Sequence, residues 1–90
     1  MQVVATIKRV LDTKQVSENF KSRELHVTTE EQFSQTLSIH FQQDRCSLLD
    51  NYKPGDKVKI EVNLKGKEVI KEDKPLVYNS IVGWKIEKAV

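Results

Sequence analysis

The chain of 90 residues is the right length for one domain, and we expect residues 1–90 to form a single unit. Its 38% hydrophobic content is enough for a small core, and the regular spacing of the apolar residues excludes a disordered chain. The net charge of +2 permits a polyanionic partner without demanding one, so the placement of the charges matters more than their sum.

Alternation of apolar and polar residues predicts two strands in the first third of the chain. The first strand covers Gln2–Asp12 and the second covers Phe20–Thr29, with the polar segment Asp12–Asn19 as the loop between them. The core face of these two strands is predicted to carry Val3, Ala5, Ile7, Leu11, Leu25 and Val27.

The third strand is predicted from Phe33 to Phe41, and both phenylalanines are expected in the core. The alternation then stops and a short α-helix follows, with Asp44 placed to cap its start. Pro54 and Gly55 end the helix, because proline removes a backbone donor and glycine accepts a positive φ. The apolar residues of the helix and its turn are Cys46, Leu48, Leu49 and Tyr52.

Alternation resumes after the turn and predicts two more strands. The fourth strand covers Lys57–Ile70, with Gly66 at a bulge or bend. Lys71–Pro75 forms a charged hairpin tip, and Leu76–Glu87 forms the last strand. A second bulge is expected at Gly83, where it would switch which face of the strand points inward.

Five strands with one short helix between the third and fourth predict an all-β fold, a five-stranded OB-fold barrel whose helix plugs one open end. The single cysteine, Cys46, excludes an internal disulfide and is expected to fill a small slot in the core. No apolar run approaches the roughly 20 residues that span a bilayer, and the first residues lack the apolar core of a signal peptide. We therefore expect a soluble cytoplasmic protein that does not bind membranes.

Catalytic and metal-binding patterns are weak in this sequence. His26 and His40 lie on the polar faces of adjacent strands, with Glu24 the one carboxylate near them by parity, and we expect solvated surface histidines. The chain shows no Gly-rich phosphate loop, nucleophile elbow or zinc-ligand spacing. We therefore expect no catalytic residue, no metal site and no cofactor, in a protein that is not an enzyme.

Basic residues of the predicted fourth strand share one parity. These are Lys57, Lys59, Lys65 and Lys67. Such a stripe either follows a phosphate backbone or forms an ordinary solvated face that discourages aggregation through strand edges. Arg45, on the helix, is a weaker candidate for a phosphate contact.

The aromatic residues discriminate better between a nucleic-acid site and an ordinary solvated surface, because proteins that bind single-stranded nucleic acid stack bases on exposed rings. Phe20 lies at the start of the second strand, beside Lys21 and near Arg23, and is the best stacking candidate. The alternative for Phe20 is that it covers one mouth of the barrel. Tyr78 lies near the charged tip and is expected to be exposed, whereas Trp84 is expected in the core with its indole N–H at the rim.

The residues around the helix resemble a known family. The matching segments follow Phe41 and are Asp44–Asp50, Tyr52–Val58 and Trp84–Glu87. They resemble a family of short OB-fold proteins of bacteria and phages, a domain of unknown function that is similar to bacterial single-stranded DNA-binding protein. The resemblance covers nearly the whole chain. It implies sequence-independent binding of single-stranded DNA by an oligomer in the bacterial or infected-host cytoplasm, with phage genome replication as one setting.

Our first functional hypothesis is therefore a sequence-tolerant binder of single-stranded DNA, with its groove across the second and third strands. The candidate nucleic-acid-binding residues are Phe20, Lys21, Arg23, Lys57, Lys59, Lys65, Lys67 and Tyr78. One alternative is a protein-interaction or adaptor module without nucleic-acid binding; another is an RNA binder or a subunit of a nucleic-acid enzyme. A homo-oligomer, as a dimer or tetramer, is expected because a small open barrel leaves a strand edge unpaired.

Overall fold

The computed structural model describes residues 1–89 of the chain. This part contains six strands and one 3₁₀ helix. In chain order they are β1 (Gln2–Val10), β2 (Lys14–Ser17), β3 (Phe20–Thr29), β4 (Thr36–Gln42), the 3₁₀ helix (Gln43–Asn51), β5 (Lys57–Lys71) and β6 (Lys74–Lys88). Within residues 1–89, no helix combines the length and the apolar character needed to cross a membrane.

Five of the strands close into a ring. The strand order is β1-β5-β6-β4-β3-β2, and an additional pairing of β1 with β3 closes the circle. The pairing of β4 with β6 is parallel and every other pairing is antiparallel. The 3₁₀ helix joins β4 to β5, so the predicted OB-fold barrel, with its helix between the third and fourth strands of the ring, is confirmed.

The core lies inside this ring and is built from alternate residues of the strands. Successive side chains of a strand point to opposite faces, so the period of two in the sequence sends one set inward. The buried cluster contains Ala5, Ile7, Leu25, Val27, Ile39, Phe41, Leu49, Val58, Ile60 and Val62. Tyr52 packs against this cluster and donates its hydroxyl hydrogen to the carbonyl oxygen of Ile86 at 3.2 Å.

The element between β4 and β5 is a 3₁₀ helix rather than the predicted α-helix. Its buried side chains are Cys46 and Leu49, three residues apart, and a helix with three residues per turn places both on one side. The N-cap residue is Gln42, so Asp44 lies in the first turn and the prediction that it caps the helix is wrong. The turn after the helix follows the prediction, with Gly55 at a φ of 95°.

Two predicted boundaries in the first half of the chain are wrong. The segment Asp12–Asn19, predicted as a loop, contains β2, which pairs with the start of β3 as a sixth strand outside the ring. The strand predicted from Phe33 begins at Thr36, and the side chain of Phe33 is 76% exposed instead of buried. The backbone N–H of Thr29 donates to the carbonyl oxygen of Gln35 at 2.9 Å, which closes the connection before β4 begins.

The predicted bulge at Gly83 is confirmed. Glu61 pairs with Lys85 and Val62 pairs with Gly83, so Trp84 is the extra residue of β6 at this point. This geometry turns Trp84 outward, and at 41% exposure it is not the core residue that we expected. At Gly66, where a bulge or bend was predicted, the bulge is wrong, because Gly66 pairs with Asn79 in an unbroken register.

Beyond the bulge, β5 and β6 continue past the barrel as a two-stranded projection, which we call the arm (residues 64–81). Its pairing runs to Lys71 and Lys74, and Glu72 and Asp73 form the turn with φ values of 53° and 64°. Two central residues with positive φ are typical of the type I′ turn, whose twist matches that of the strands. The arm makes the molecule elongated: its radius of gyration is 14.3 Å, against about 12 Å for a compact chain of this length.

Candidate nucleic-acid interface

The outer face of β3 and β4 forms a groove between two projecting elements. Because the intervening residues are buried, the alternate residues point outward. They are Ser22, Glu24 and His26 on β3 and Ser38, His40 and Gln42 on β4. A cavity of about 470 Å³ separates this face from β2 and its preceding loop, and one of about 600 Å³ separates it from the arm. His40 borders both cavities, so the groove is continuous across it.

A chain of polar contacts runs across the floor of the groove. A guanidinium nitrogen of Arg9 lies 2.8 Å from His26 Nδ1, and His26 Nε2 lies 2.6 Å from Glu24 Oε2. Since arginine can only donate, Nδ1 accepts and Nε2 carries the hydrogen donated to Glu24. The hydroxyl of Ser38 donates to the same carboxylate oxygen at 2.5 Å. His26 is therefore hydrogen-bonded to Arg9 and Glu24, and it is not the freely solvated histidine that we expected.

These contacts hold the pKa of the Glu24 carboxyl below its usual value. The hydrogen bond from Ser38 has the largest effect and the hydrogen bond from His26 is next. Glu24 is thus a carboxylate at neutral pH, and Arg9 at the far end of the chain of contacts offsets its charge. A negative group at this position repels phosphates, so the floor suits bases and a phosphate backbone belongs at the edges of the groove.

Cys46 lies in the core and has an unreactive thiol. Cys46 is buried, its thiol donates to the carbonyl oxygen of Phe41 at 3.3 Å, and burial raises the pKa of that thiol. A thiol with a raised pKa is a poor nucleophile, and the expected core position of Cys46 is confirmed. Within residues 1–89, no group of three His, Cys, Asp or Glu side chains is placed to hold a metal ion.

Of the predicted residues on β3, Phe20 alone has the parity of the groove face. It is half-buried, pairs with Ser17 of β2 and shares its side of the strand with Ser22 and Glu24. Lys21 has the opposite parity, and its backbone N–H donates to the side-chain oxygen of Gln43 at 3.2 Å. Lys21 therefore lies at the helix end of the barrel and not on the floor of the groove.

Arg23 ties the first loop to the helix. Its Nε donates to the carbonyl oxygen of Leu11 at 2.7 Å, and one terminal nitrogen donates to the carbonyl oxygen of Cys46 at 3.2 Å and to Asp50 Oδ1 at 2.7 Å. Its side chain is only 15% exposed. These three bonds occupy the guanidinium group within the protein, so Arg23 has a structural role and we do not carry it forward as a phosphate contact.

The four lysines of β5 share a parity, as predicted, but fall into two separate pairs. Lys57 Nζ lies 2.8 Å from Glu30 Oε2 and Lys59 Nζ lies 3.9 Å from Glu87 Oε1. Both residues pair with β1, on the side of the barrel away from the groove. Lys65 and Lys67 lie on the arm instead.

Lys65 and Lys67 share one face of the arm with Tyr78. Lys67 pairs directly with Tyr78, and Lys65 pairs with Ser80, the next residue of that face. The Tyr78 side chain is 60% exposed, which confirms the exposure expected from its position near the tip. Two ammonium groups beside an exposed ring are the combination that binds a phosphate backbone and stacks a base.

Sequence reasoning missed the polar residues at the root of the arm. Asn79 and Ser80 border the larger cavity together with His40. The period of two places His40 on the outer face, but it does not indicate where β6 separates from β4. The cavity that these three residues border forms where β6 diverges from β4, and no local motif in the sequence marks that point.

The comparisons with known proteins agree with this geometry. Residues 2–87 match the family described as Domain of unknown function (DUF3127). The chain belongs to the DUF3127 family. The expected membership of a short OB-fold family of unknown function is thereby confirmed, and no curated protein matches this DUF3127 chain.

Among solved structures, the DUF3127 chain is similar to several single-stranded DNA-binding proteins. The mitochondrial protein of S. cerevisiae has a TM-score of 0.73 at 16% identity, over 98% of this chain and 91% of that one. A small single-stranded DNA-binding protein from Streptomyces coelicolor has a TM-score of 0.65 at 12% identity, over 100% and 93% of the two chains. The Plasmodium falciparum protein, solved in complex with single-stranded DNA, has a TM-score of 0.64 at 16% identity, also over 100% and 93%. At these identities the likeness shows the fold.

Proposed function

We propose that this protein binds single-stranded DNA without strong sequence preference. The observation that carries the proposal is the groove on β3 and β4, bounded by the β2 segment and by an arm that presents Lys65, Lys67 and an exposed Tyr78. OB-folds bind oligonucleotides on this face and between these two loops. The likeness to three single-stranded DNA-binding proteins, one of them in complex with its ligand, supports the proposal.

In the proposed complex, bases stack on Tyr78 of the arm and on Phe20 at the start of β3. Each stacked base contributes roughly 1–3 kcal/mol. Lys65 and Lys67 neutralise phosphates, and Lys21, at the helix end of the barrel, ranks below them. Lys57 and Lys59 form ion pairs with Glu30 and Glu87. A phosphate would have to replace these carboxylates, so the two lysines rank below the arm lysines.

The wider setting is part of the same proposal. We place the protein in the cytoplasm of a bacterium or an infected host, where it organises single-stranded DNA during replication, including that of a phage genome. It acts as a homo-oligomer, a dimer or tetramer. Light scattering on the purified protein, with and without an oligonucleotide, measures the oligomeric state.

The deciding experiment is fluorescence anisotropy with a labelled oligo-dT at several salt concentrations. A K65A/K67A variant should reduce the slope of log affinity against log salt by about 1 to 1.5, because each phosphate contact on a single strand contributes about 0.7. The matched control is K57A/K59A, which removes two lysines of the same strand and parity and should change the slope less.

The aromatic residues are tested in the same titration. Phe20→Ala and Tyr78→Ala should each weaken binding at every salt concentration, by a factor of about 5 or more, since stacking does not depend on released counterions. No detectable binding of the wild-type protein at low salt would end the proposal. Tighter binding of RNA than of DNA of the same sequence would reassign the ligand, since the 2′-hydroxyl is the group that distinguishes the two.

A protein-interaction module is the second candidate, and one observation favours it. The other face of the arm exposes Leu64, Val77 and Ile70. Exposed apolar patches mark sites of interaction with proteins, membranes or ligands. This candidate predicts weak binding of DNA, together with a partner protein that is lost when Val77 and Ile70 are replaced by serine.

A further inference from the structure

A cleft opens where β6 separates from β4 at the root of the arm. Among residues 1–89, the ladder between these parallel strands consists of two pairs, Ile39 with Ile81 and His40 with Val82. Before these pairs the two strands diverge, and the cavity of about 600 Å³ lies between Ser38 on one side and Ser80 on the other. Ligand sites in proteins have volumes of about 300–1,000 Å³, so the cleft has the size of a binding site.

The base of the cleft is apolar. Leu64 and Ile81 pair across the arm and keep the inward parity that Val62 and Gly83 have inside the barrel. Because the arm extends past the barrel, no strand covers Leu64 on this side and its side chain is exposed. Ile81 is half-buried against the core. The two side chains therefore offer an apolar surface that is fixed to the core at one edge.

The wall of the cleft carries a hydrogen-bonding amide. Asn79 pairs with Gly66, and a Cβ placed on Gly66 would lie 3.3 Å from Asn79 Oδ1. The absence of a side chain at Gly66 leaves room beside the Asn79 amide, whose oxygen accepts and whose NH₂ group donates. Ser80 and His40 add two further polar groups to the same cavity.

We propose that this cleft takes one unstacked nucleobase of the bound DNA strand. A base has flat apolar faces and a polar edge, which fit an apolar surface beside an amide. Lys65 lies on the rim and is placed to meet the phosphate next to that base. The inference rests on the proposed function and adds a specific contact to it: the edge of one base is recognised by Asn79, while the rest of the strand is bound by stacking and charge.

The alternative occupant of a diverging pair of strands is an extended peptide that pairs with a strand edge. The geometry favours the base. The base of the cleft is a short apolar patch of Leu64 and Ile81, and Lys65 borders the same cavity. An extended peptide would bind along the edge of β6 and would gain nothing from the ammonium group of Lys65.

The test is a pair of NMR titrations on the full chain, with oligo-dT and with an oligonucleotide of the same length that carries abasic sites in place of the bases. The side-chain amide signals of Asn79 and the ring signals of His40 should shift with oligo-dT and stay unchanged with the abasic strand. The backbone signals of Lys65 and Lys67 should shift with both strands. Arm signals that respond to oligo-dT while Asn79 does not would overturn the cleft and leave the proposed function standing, whereas no response anywhere would overturn both.

Affinities of variants give an independent measurement. Asn79→Ala and Gly66→Leu should each weaken binding of oligo-dT by about threefold to tenfold, the effect of one lost hydrogen bond, and should leave binding of the abasic strand unchanged. Asn51→Ala, at the exposed end of the 3₁₀ helix, is the matched control and should behave as wild type. Equal losses with both strands would overturn the proposal, since the variants would then be acting on the arm as a whole. Circular dichroism melts confirm that each variant is folded before it is titrated.

Discussion

Gly83 lies where the wall of the barrel touches a core side chain. A Cβ built at this position would lie 2.5 Å from Cζ and 2.8 Å from Cε2 of Phe41, distances at which atoms overlap. Phe41 is fully buried, so its ring has no free space into which to move. The same residue borders the bulge that turns Trp84 outward, so the packing of the core and the change in the course of β6 meet at one glycine.

We predict that Gly83→Ala destabilises the fold by about 1–3 kcal/mol, the usual cost of overpacking a core. The midpoint of urea unfolding measures this change, and the slope of the transition should stay the same. Gly66→Ala is the matched control, because it lies in the same hairpin. Its added methyl group would meet the exposed side chain of Asn79 at 3.3 Å and lie 3.9 Å from the carbonyl oxygen of Tyr78, so no core atom is displaced. Equal shifts of the two midpoints would contradict the argument.

The sequence predicted which residues alternate into the core, and it failed where a side chain depends on distant partners. Leu25, Ile39 and Phe41 were predictable because the period of two is a local property. The bonds of Arg23 were not, because its acceptors lie on the first loop and on the helix. Phe33 continues the alternation of β4, but a pattern of side chains does not mark the residue at which strand pairing begins.

At the scale of elements, the arm is the feature that separates this chain from a plain barrel. Its alternation continues that of β5 inside the barrel, so the sequence predicted a strand to Ile70 without indicating that it leaves the core. The departure follows from the lengths of the neighbours: β5 and β6 have 15 residues each, whereas β1 has 9 and β4 has 7. A long hairpin between short strands must project.

We predict that the outer part of the arm is dispensable for folding. Replacing residues 68–77 by Asn-Gly joins Lys67 to Tyr78, a pair with the same register parity as the present turn pair of Lys71 and Lys74. Because the removed residues are almost all exposed, the free energy of unfolding, measured by urea titration, should change by no more than about 0.5 kcal/mol. The shortened chain keeps Lys67 and Tyr78, so it should still bind oligo-dT. A chain that fails to fold would show that the tip supports the barrel.

At the scale of the whole molecule, two carboxylates form contacts to other strands of the barrel. Glu24 on β3 accepts from Ser38 on β4, and Glu30 pairs with Lys57 on β5. The pKa of each carboxyl is lowered from its ordinary value of 4.5, in Glu24 chiefly by the Ser38 hydrogen bond and in Glu30 chiefly by the Lys57 hydrogen bond. A folded-state pKa below the unfolded value stabilises the fold above the unfolded value, and this stability is lost as the pH falls through the folded one.

We therefore predict that the free energy of unfolding decreases as the pH drops below 4.5. Glu24→Gln should be less stable than wild type at neutral pH and should show a shallower decrease in acid. Urea unfolding at a series of pH values between about 3 and 7 measures both effects. The control is Glu18→Gln, an exposed carboxylate between β2 and β3, which should leave the curve unchanged. A wild-type curve that is flat through this range would contradict the prediction.

Closure of the ring also has a consequence for the order of events during synthesis. The first strand finds one of its two neighbours only in the second half of the chain, since Gln2 pairs with Glu61 and Thr6 with Lys57. Contacts between residues so distant in sequence form slowly, because the intervening chain must lose its freedom first. On the ribosome, β1 emerges early and waits for β5, and until then the apolar side chains of the nascent chain face water. A chaperone therefore has the most exposed apolar surface to protect in the interval before β1 pairs with β5.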